Sequence, residues 1–372
     1  MERWWQRRIG PYGVFLTLLV ALAIVVVAAF VFWVNQPTID QRTGLTPFPP
    51  SQADYYVVDE VAGHLHRPDT VRTMDWPEHE RGEVVLRTNN LGFRRDDPTE
   101  IAKPPGTVRV LITGDSHTDG VVFNSESVAA QLETLLEEAN PGRTFEVLNG
   151  GTGHFGPQNY LGLLERFIDL DLDHFIVVIF TGNDFLDAVS GDWARDGIAI
   201  PERPPDYMER LAAANAISSA AVSQGFNQLY FFRTFPELVD PAIEITAEAC
   251  EQASALCAEH GIGFTVVLLP SLHDVEPERA GDTFSRIAGA LELDPSDALN
   301  RQLTGKLAHR LRSQGIAVIE PLEQMSRSND VLFWLLDHHL AVKGHAELAS
   351  AIFNAREGQL AKGFKDDDGE AR

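Results

Sequence analysis

Four short stretches of this chain carry residue types that can do acyl chemistry when brought together. Gly114-Asp115-Ser116-His117-Thr118-Asp119-Gly120 offers a hydroxyl in a glycine-flanked turn, Asn149-Gly150-Gly151 offers exposed backbone amides, and Gly182-Asn183-Asp184 offers a side-chain amide. Asp337-His338-His339 supplies a carboxylate and imidazole within three residues. A hydroxyl nucleophile needs a base to take its proton, the base needs a carboxylate to hold its tautomer, and the developing oxyanion needs donors already in place. Taken singly, a serine in a turn or a Gly-Asn-Asp string is ordinary loop material. Jointly, the four stretches hold every part that such a reaction requires.

What must position them is legible in the hydrophobic pattern. Val108–Thr113, Phe145–Leu148, Phe175–Thr181, Phe264–Leu269 and Ile316–Ile319 are apolar, β-branched runs of the kind that form buried parallel strands. Between them lie segments with apolar residues at three- and four-residue spacing, such as Val128, Leu132, Leu135, Leu136 and Ala139. Five strands alternating with helices predict a flavodoxin-like, three-layer α/β/α domain with a five-stranded parallel sheet, spanning 104–362. In such sheets ligands bind at the carboxyl ends of strands, and the first three stretches each follow a strand directly. An interruption at about 187–240, with Pro201, Pro204 and Pro205, reads as an insertion placed to cover that edge or as a plain surface excursion.

Ahead of this domain, Val14–Val34 is 21 residues without a charge. At about 1.5 Å per residue a helix of that length crosses the hydrocarbon core of a bilayer. Arg3, Arg7 and Arg8 precede it, so residues 1–34 read as a cytoplasmic stub and membrane anchor, with a cleaved signal peptide as the competing reading and the body periplasmic or at the cell surface. Residues 35–50 are a proline-rich linker and 51–103 a small β-containing lead-in, with a strand around Glu83–Thr88. The tail 363–372 reads as solvated and disordered.

Composition narrows the function. Lys plus Arg number 30 against 54 Asp plus Glu, a formal charge of −24, with no clustered basic stretch, so nucleic acid is excluded as a natural partner. Cys250 and Cys257 are seven residues apart on one expected helix, roughly 10.5 Å by helical rise, too far for a disulfide. Asp337, His338, His339 and His345 form the one cluster of metal-ligand types, but adjacent residues in one segment rarely converge on an ion. No metal or other cofactor is expected.

GDSHTDG, NGG, GND and DHH, in that order, resemble the four blocks of the GDSL/SGNH hydrolases, an esterase superfamily. The resemblance covers roughly 105–360. It implies that Ser116 is the nucleophile and gives one oxyanion N–H, that Gly151 gives a second, and that Asn183 adds its side-chain amide. It further implies His339 as base and Asp337 as its partner, in a D-x-H spacing where many members have D-x-x-H. His338 is the alternative base. In an extended segment, Asp337 and His339 would share a side and His338 would face away. Arg87–Arg94, RTNNLGFR, is also similar to the stretch ahead of the catalytic domain in membrane-anchored bacterial members. The implied activity is hydrolysis of ester bonds, on carbohydrate or small acyl esters, through an acyl-enzyme. An O-acetyltransferase or deacetylase of envelope polysaccharide, and a non-catalytic envelope-binding module, are the other readings; the ester substrate is accordingly expected to be an acylated glycan in the polysaccharide case.

Overall fold

The computed structural model describes residues 18–23, 52, 54–196, 201–279 and 281–360. Most of the apolar run 14–34, the linker and the tail 363–372 lie outside the described residues. Residues 18–23 are helical, and among the described residues no helix is long and apolar enough to cross a membrane.

Nine strands are described. β1 (Tyr56–Asp59) pairs with β2 (Gly63–His66), and β3 (Val71–Asp75) with β4 (Glu83–Arg87), as two antiparallel hairpins. β5 (Thr107–Gly114), β6 (Thr144–Asn149), β7 (His174–Phe180), β8 (Gly263–Leu269) and β9 (Ala317–Ile319) form one parallel sheet in the order β6-β5-β7-β8-β9. That is the doubly wound order, reversing direction at β5. β7 is buried at every residue, as its unbroken apolar run Phe175–Phe180 requires of a central strand covered on both faces.

The helices used below are α1 (Ser116–Asp119), α2 (Val128–Ala139), α3 (Pro157–Phe167), α4 (Asp184–Asp196), α5 (Tyr207–Ile217), α6 (Val239–His260), α7 (Gly281–Leu291), α8 (Leu299–Ser313) and α9 (Val342–Leu360). α2 packs on α9 and β6, while α6 packs on α3, α4 and α8, so the sheet is sandwiched between two helical layers. Cys250 and Cys257 lie buried and unbonded on α6, where burial pushes both thiols up to about 12.

The lead-in is built onto this domain. In RTNNLGFR, Asn89 Oδ1 accepts from the N–H groups of Leu91 and Phe93 at 3.0 and 3.1 Å, closing a tight turn. Gly92 sits at φ +88, and a Cβ there would lie 2.6 Å from the His66 carbonyl oxygen, so only glycine fits. Phe93 is buried in the main core. Arg94 is buried too, and all of its nitrogens are used: Nε donates to Asn124 Oδ1 at 3.0 Å, Nη1 to Asp119 Oδ1 and O at 2.7 Å and Gly120 O at 3.0 Å, and Nη2 to Val122 O at 2.9 Å. This guanidinium thus clamps the chain that follows the serine.

Candidate active site

The serine turn is shaped by its own sequence. Asp115 caps α1 by accepting from His117 N–H at 2.9 Å, which places Ser116 at the first helical position with its N–H unused by the helix. Asp119, at the other end, accepts from Arg94 on Oδ1 and from His66 Nε2 on Oδ2 at 3.1 Å. Burial works against its charge, but His66 and Arg94 outweigh it and hold the carboxyl down at about 2. Asp115 has no such partner cation in contact, and burial pushes it up to about 6.

Ser116 meets the C-terminal stretch directly. Its Oγ is 2.8 Å from His339 Nε2, and His339 Nδ1 is 2.5 Å from Asp337 Oδ1. The same carboxylate oxygen accepts from the His339 backbone N–H at 3.2 Å, which sets the ring's direction. With Nδ1–H donating to Asp337, Nε2 presents its lone pair to the serine hydroxyl. Burial lowers the His339 pKa, yet the hydrogen bond and charge of Asp337 win, and the imidazole is raised above its ordinary value. His338 stands apart at φ 69, its ring packed against Phe284 with centroids 5.9 Å apart. His345 accepts from Val128 N–H at 3.2 Å, at the start of α2. The cluster Asp337, His338, His339 and His345 therefore diverges, and among the described residues no group of three or more such side chains could hold a metal ion.

Asn183 lines the same cleft, with its Oδ1 buried and making no hydrogen bond among the described residues. Asp184 holds that turn, accepting from Phe180 N–H at 2.9 Å and Tyr160 Oη–H at 2.8 Å. Gly151 is not where the sequence led us to expect it. Its N–H is given to Asn149 Oδ1 at 3.0 Å, and a Cβ on it would lie 2.4 Å from Asp119 N. The close approach that demands glycine here is to α1, not to a ligand. The loop instead turns Gly153 and His154 to the cleft, with His154 exposed and in the left-handed region at φ 66.

Two contributors were not singled out in the sequence. Within the 187–240 insertion, a single π-helical turn, Val222–Phe226, is broken at Gln224, which leaves helical geometry. The Gln224 side chain accepts from His117 Nε2 at 3.0 Å and lies 3.5 Å from His339 Nε2 with its amide nitrogen. His117, stacked on Phe180 at 3.7 Å, is buried and held neutral by that burial. The insertion's run Leu229, Tyr230, Phe231 and Phe232 is buried in the core behind this turn. The second contributor is the lead-in: Tyr55, Tyr56, Arg72, Met74 and Trp76 form one wall of the cleft whose other wall carries Ser116 and Asn183.

The cleft has a volume of about 660 Å³, and a second of about 560 Å³ adjoins it, sharing Trp76, Gln224, Asp337 and His339. His339 thus stands where the two openings meet.

No protein-family model matches the chain, and no curated protein does. Among solved structures, it is similar to a lipolytic protein of the G-D-S-L family from Veillonella parvula DSM 2008, with 13% identity, 66% of this chain and 97% of that one covered, and a TM-score of 0.38. An acetylxylan esterase from Geobacillus stearothermophilus gives 12% identity, 69% and 95% coverage and a TM-score of 0.41. An α/β hydrolase from the metagenome of Lake Arreo gives 15%, 68% and 96%, and 0.35. The solved structures that this chain is similar to therefore include proteins of the G-D-S-L family and an acetylxylan esterase.

Proposed function

We propose that this chain is a serine ester hydrolase of the SGNH type. The observation that carries the reading is the relay Ser116–His339–Asp337, with contacts of 2.8 and 2.5 Å at the mouth of a cleft. In this mechanism Ser116 Oγ attacks the ester carbonyl while its proton passes to His339 Nε2. Asp337 holds the ring and stabilises the imidazolium, which then returns the proton to the leaving alkoxide. Water, deprotonated by the same His339, releases the acid from the acyl-enzyme. The Ser116 N–H and the Asn183 amide would receive the oxyanion, and the backbone amides of Gly153 and His154 would take the place expected of Gly151. A cleft that continues past the base on both sides favours an ester carried on an extended chain, such as an acylated glycan, over a small free ester.

Fluorophosphonate labelling with mass spectrometric location of the adduct tests the reading. An adduct on Ser116 that disappears in His339→Ala is the expected result. A folded protein that takes no label, or takes it elsewhere, would overturn it and leave a binding module as the better account.

A further inference from the structure

Arg72 stands out among the chain's cations. β3 alternates, with Val71, Thr73 and Asp75 exposed and Arg72 and Met74 half-buried, followed by half-buried Trp76. Its inward face therefore reads Arg72, Met74, Trp76, and it looks into the cleft with Tyr55 and Leu86. Leu86 is the register partner of Arg72 across the hairpin, and the guanidinium carbon lies 5.3 Å from the Tyr55 ring centre. Inward positions of a hairpin facing aromatic residues normally hold apolar side chains, because a charge there loses hydration. Other arginines in comparably sheltered places have carboxylates: Arg94 has Asp119, Arg95 has Glu133 and Arg109 has Glu146. Arg72 makes no ion pair among the described residues, and it is the single lysine or arginine lining either opening of the cleft.

Four carboxylates line the same cleft, Asp115, Asp119, Asp187 and Asp337, and none of them makes an ion pair with Arg72. Asp119 is neutralised by Arg94 and His66, and Asp337 is paired with His339. Asp187, on the opposite wall, lines the cleft without reaching Arg72 as an ion pair. A chain with a net charge of −24 repels anions in general, so one unpaired guanidinium beside the nucleophile acts as a local exception. Guanidinium matches planar oxyanions in a bidentate fork, and the Arg72 guanidinium lies over the Tyr55 ring.

We propose that Arg72 is the recognition point for a negatively charged group, a carboxylate above all, carried by the ester substrate. The proposal rests on the hydrolase reading for the word ester, but the binding it describes does not need turnover. The substrate class is then an acyl ester of an acidic chain, such as one containing uronic acids, rather than of a neutral one.

Two experiments separate the inference from the reading beneath it. In the first, kcat/KM for acetate release is compared for an O-acetylated oligogalacturonate and its methyl-esterified form, in which a methyl group masks each carboxylate, and for 4-nitrophenyl hemiglutarate against 4-nitrophenyl valerate, which carry the difference on the acyl side. A charge preference of about 10- to 100-fold is expected in one pair, the range of a hydrogen bond to a charged group. R72Q should bring that ratio toward one and R72K should keep part of it. No preference in either pair, or a preference that survives R72Q, overturns the proposal. In the second, Ser116→Ala protein is titrated with de-esterified and methyl-esterified oligogalacturonate by calorimetry. Tighter binding of the acidic form that vanishes in the R72Q double variant supports the subsite even if no ester is hydrolysed. Equal binding of both forms overturns it even if esters are.

Discussion

On the wall of the cleft formed by the sheet ends, the charged groups beside Ser116 are committed to neighbours: Asp337 to His339, Asp119 to Arg94 and His66, Asp115 to the His117 N–H. On the facing wall, formed by the β3–β4 hairpin, Arg72 is held by packing on Tyr55 and by no carboxylate. Committed groups are preorganised and respond little to what enters, which suits bond-making steps common to all esters. An uncommitted cation gains a partner only when the right ligand arrives, which suits discrimination. On the proposed function, that difference assigns chemistry to one side of the opening and choice to the other, with Arg94 joining the two.

Three perturbations test that division. The largest effect is expected from Arg94→Met, which leaves Asp119 buried without its guanidinium; breaking such a pair costs about 3–5 kcal/mol. Chemical denaturation should show one transition moved down as a whole. A separate early transition of the hairpins would make that wall an appendage and break the comparison. Next, Asn183→Ala should lower kcat by about 10²–10³, the usual loss for one oxyanion donor, and equally for charged and neutral esters. A loss that differs between them would show that the catalytic wall also selects.

The smallest effect is on pH. Because His339 is raised, its neutral, proton-accepting form is lost on going down through a pKa above about 6.5, and the acid limb of kcat/KM should lie there. In Asp337→Asn the largest raising influence is lost while burial stays, with Asp115 and Asp119 left to oppose it, so the limb should move to lower pH. In R72Q it should stay put. A limb that follows Arg72 would mean that the two walls are electrostatically one.

Much of the catalytic side can be read without coordinates, because each of its residues announces itself locally. Ser116, Asn183 and Asp337-His338-His339 sit beside glycines or other polar residues directly after apolar runs, and the five runs appear as the five strands of the sheet. The choice of His339 over His338 rested on an extended segment, whereas Leu335–Asp337 form a turn and His338 sits at φ 69. Gly151 misled because a glycine signals close approach without naming what approaches; here it is the backbone of α1. Arg72 and Gln224 carry no local signal at all. Gln224 meets His339 across 115 residues and His66 meets Asp119 across 53, and hairpin pairing rather than spacing decides that Arg72 faces inward. Such contacts depend on where separate elements dock.

The relay also spans the chain in a particular direction. Ser116 and His339 are 223 residues apart, and the base stands just ahead of α9, which packs on α2. Most of the sheet, both hairpins and the serine turn are encoded before the base appears. Any truncation that removes His339 therefore also removes α9, so the contact to Ser116 and the helix packed on α2 are lost together.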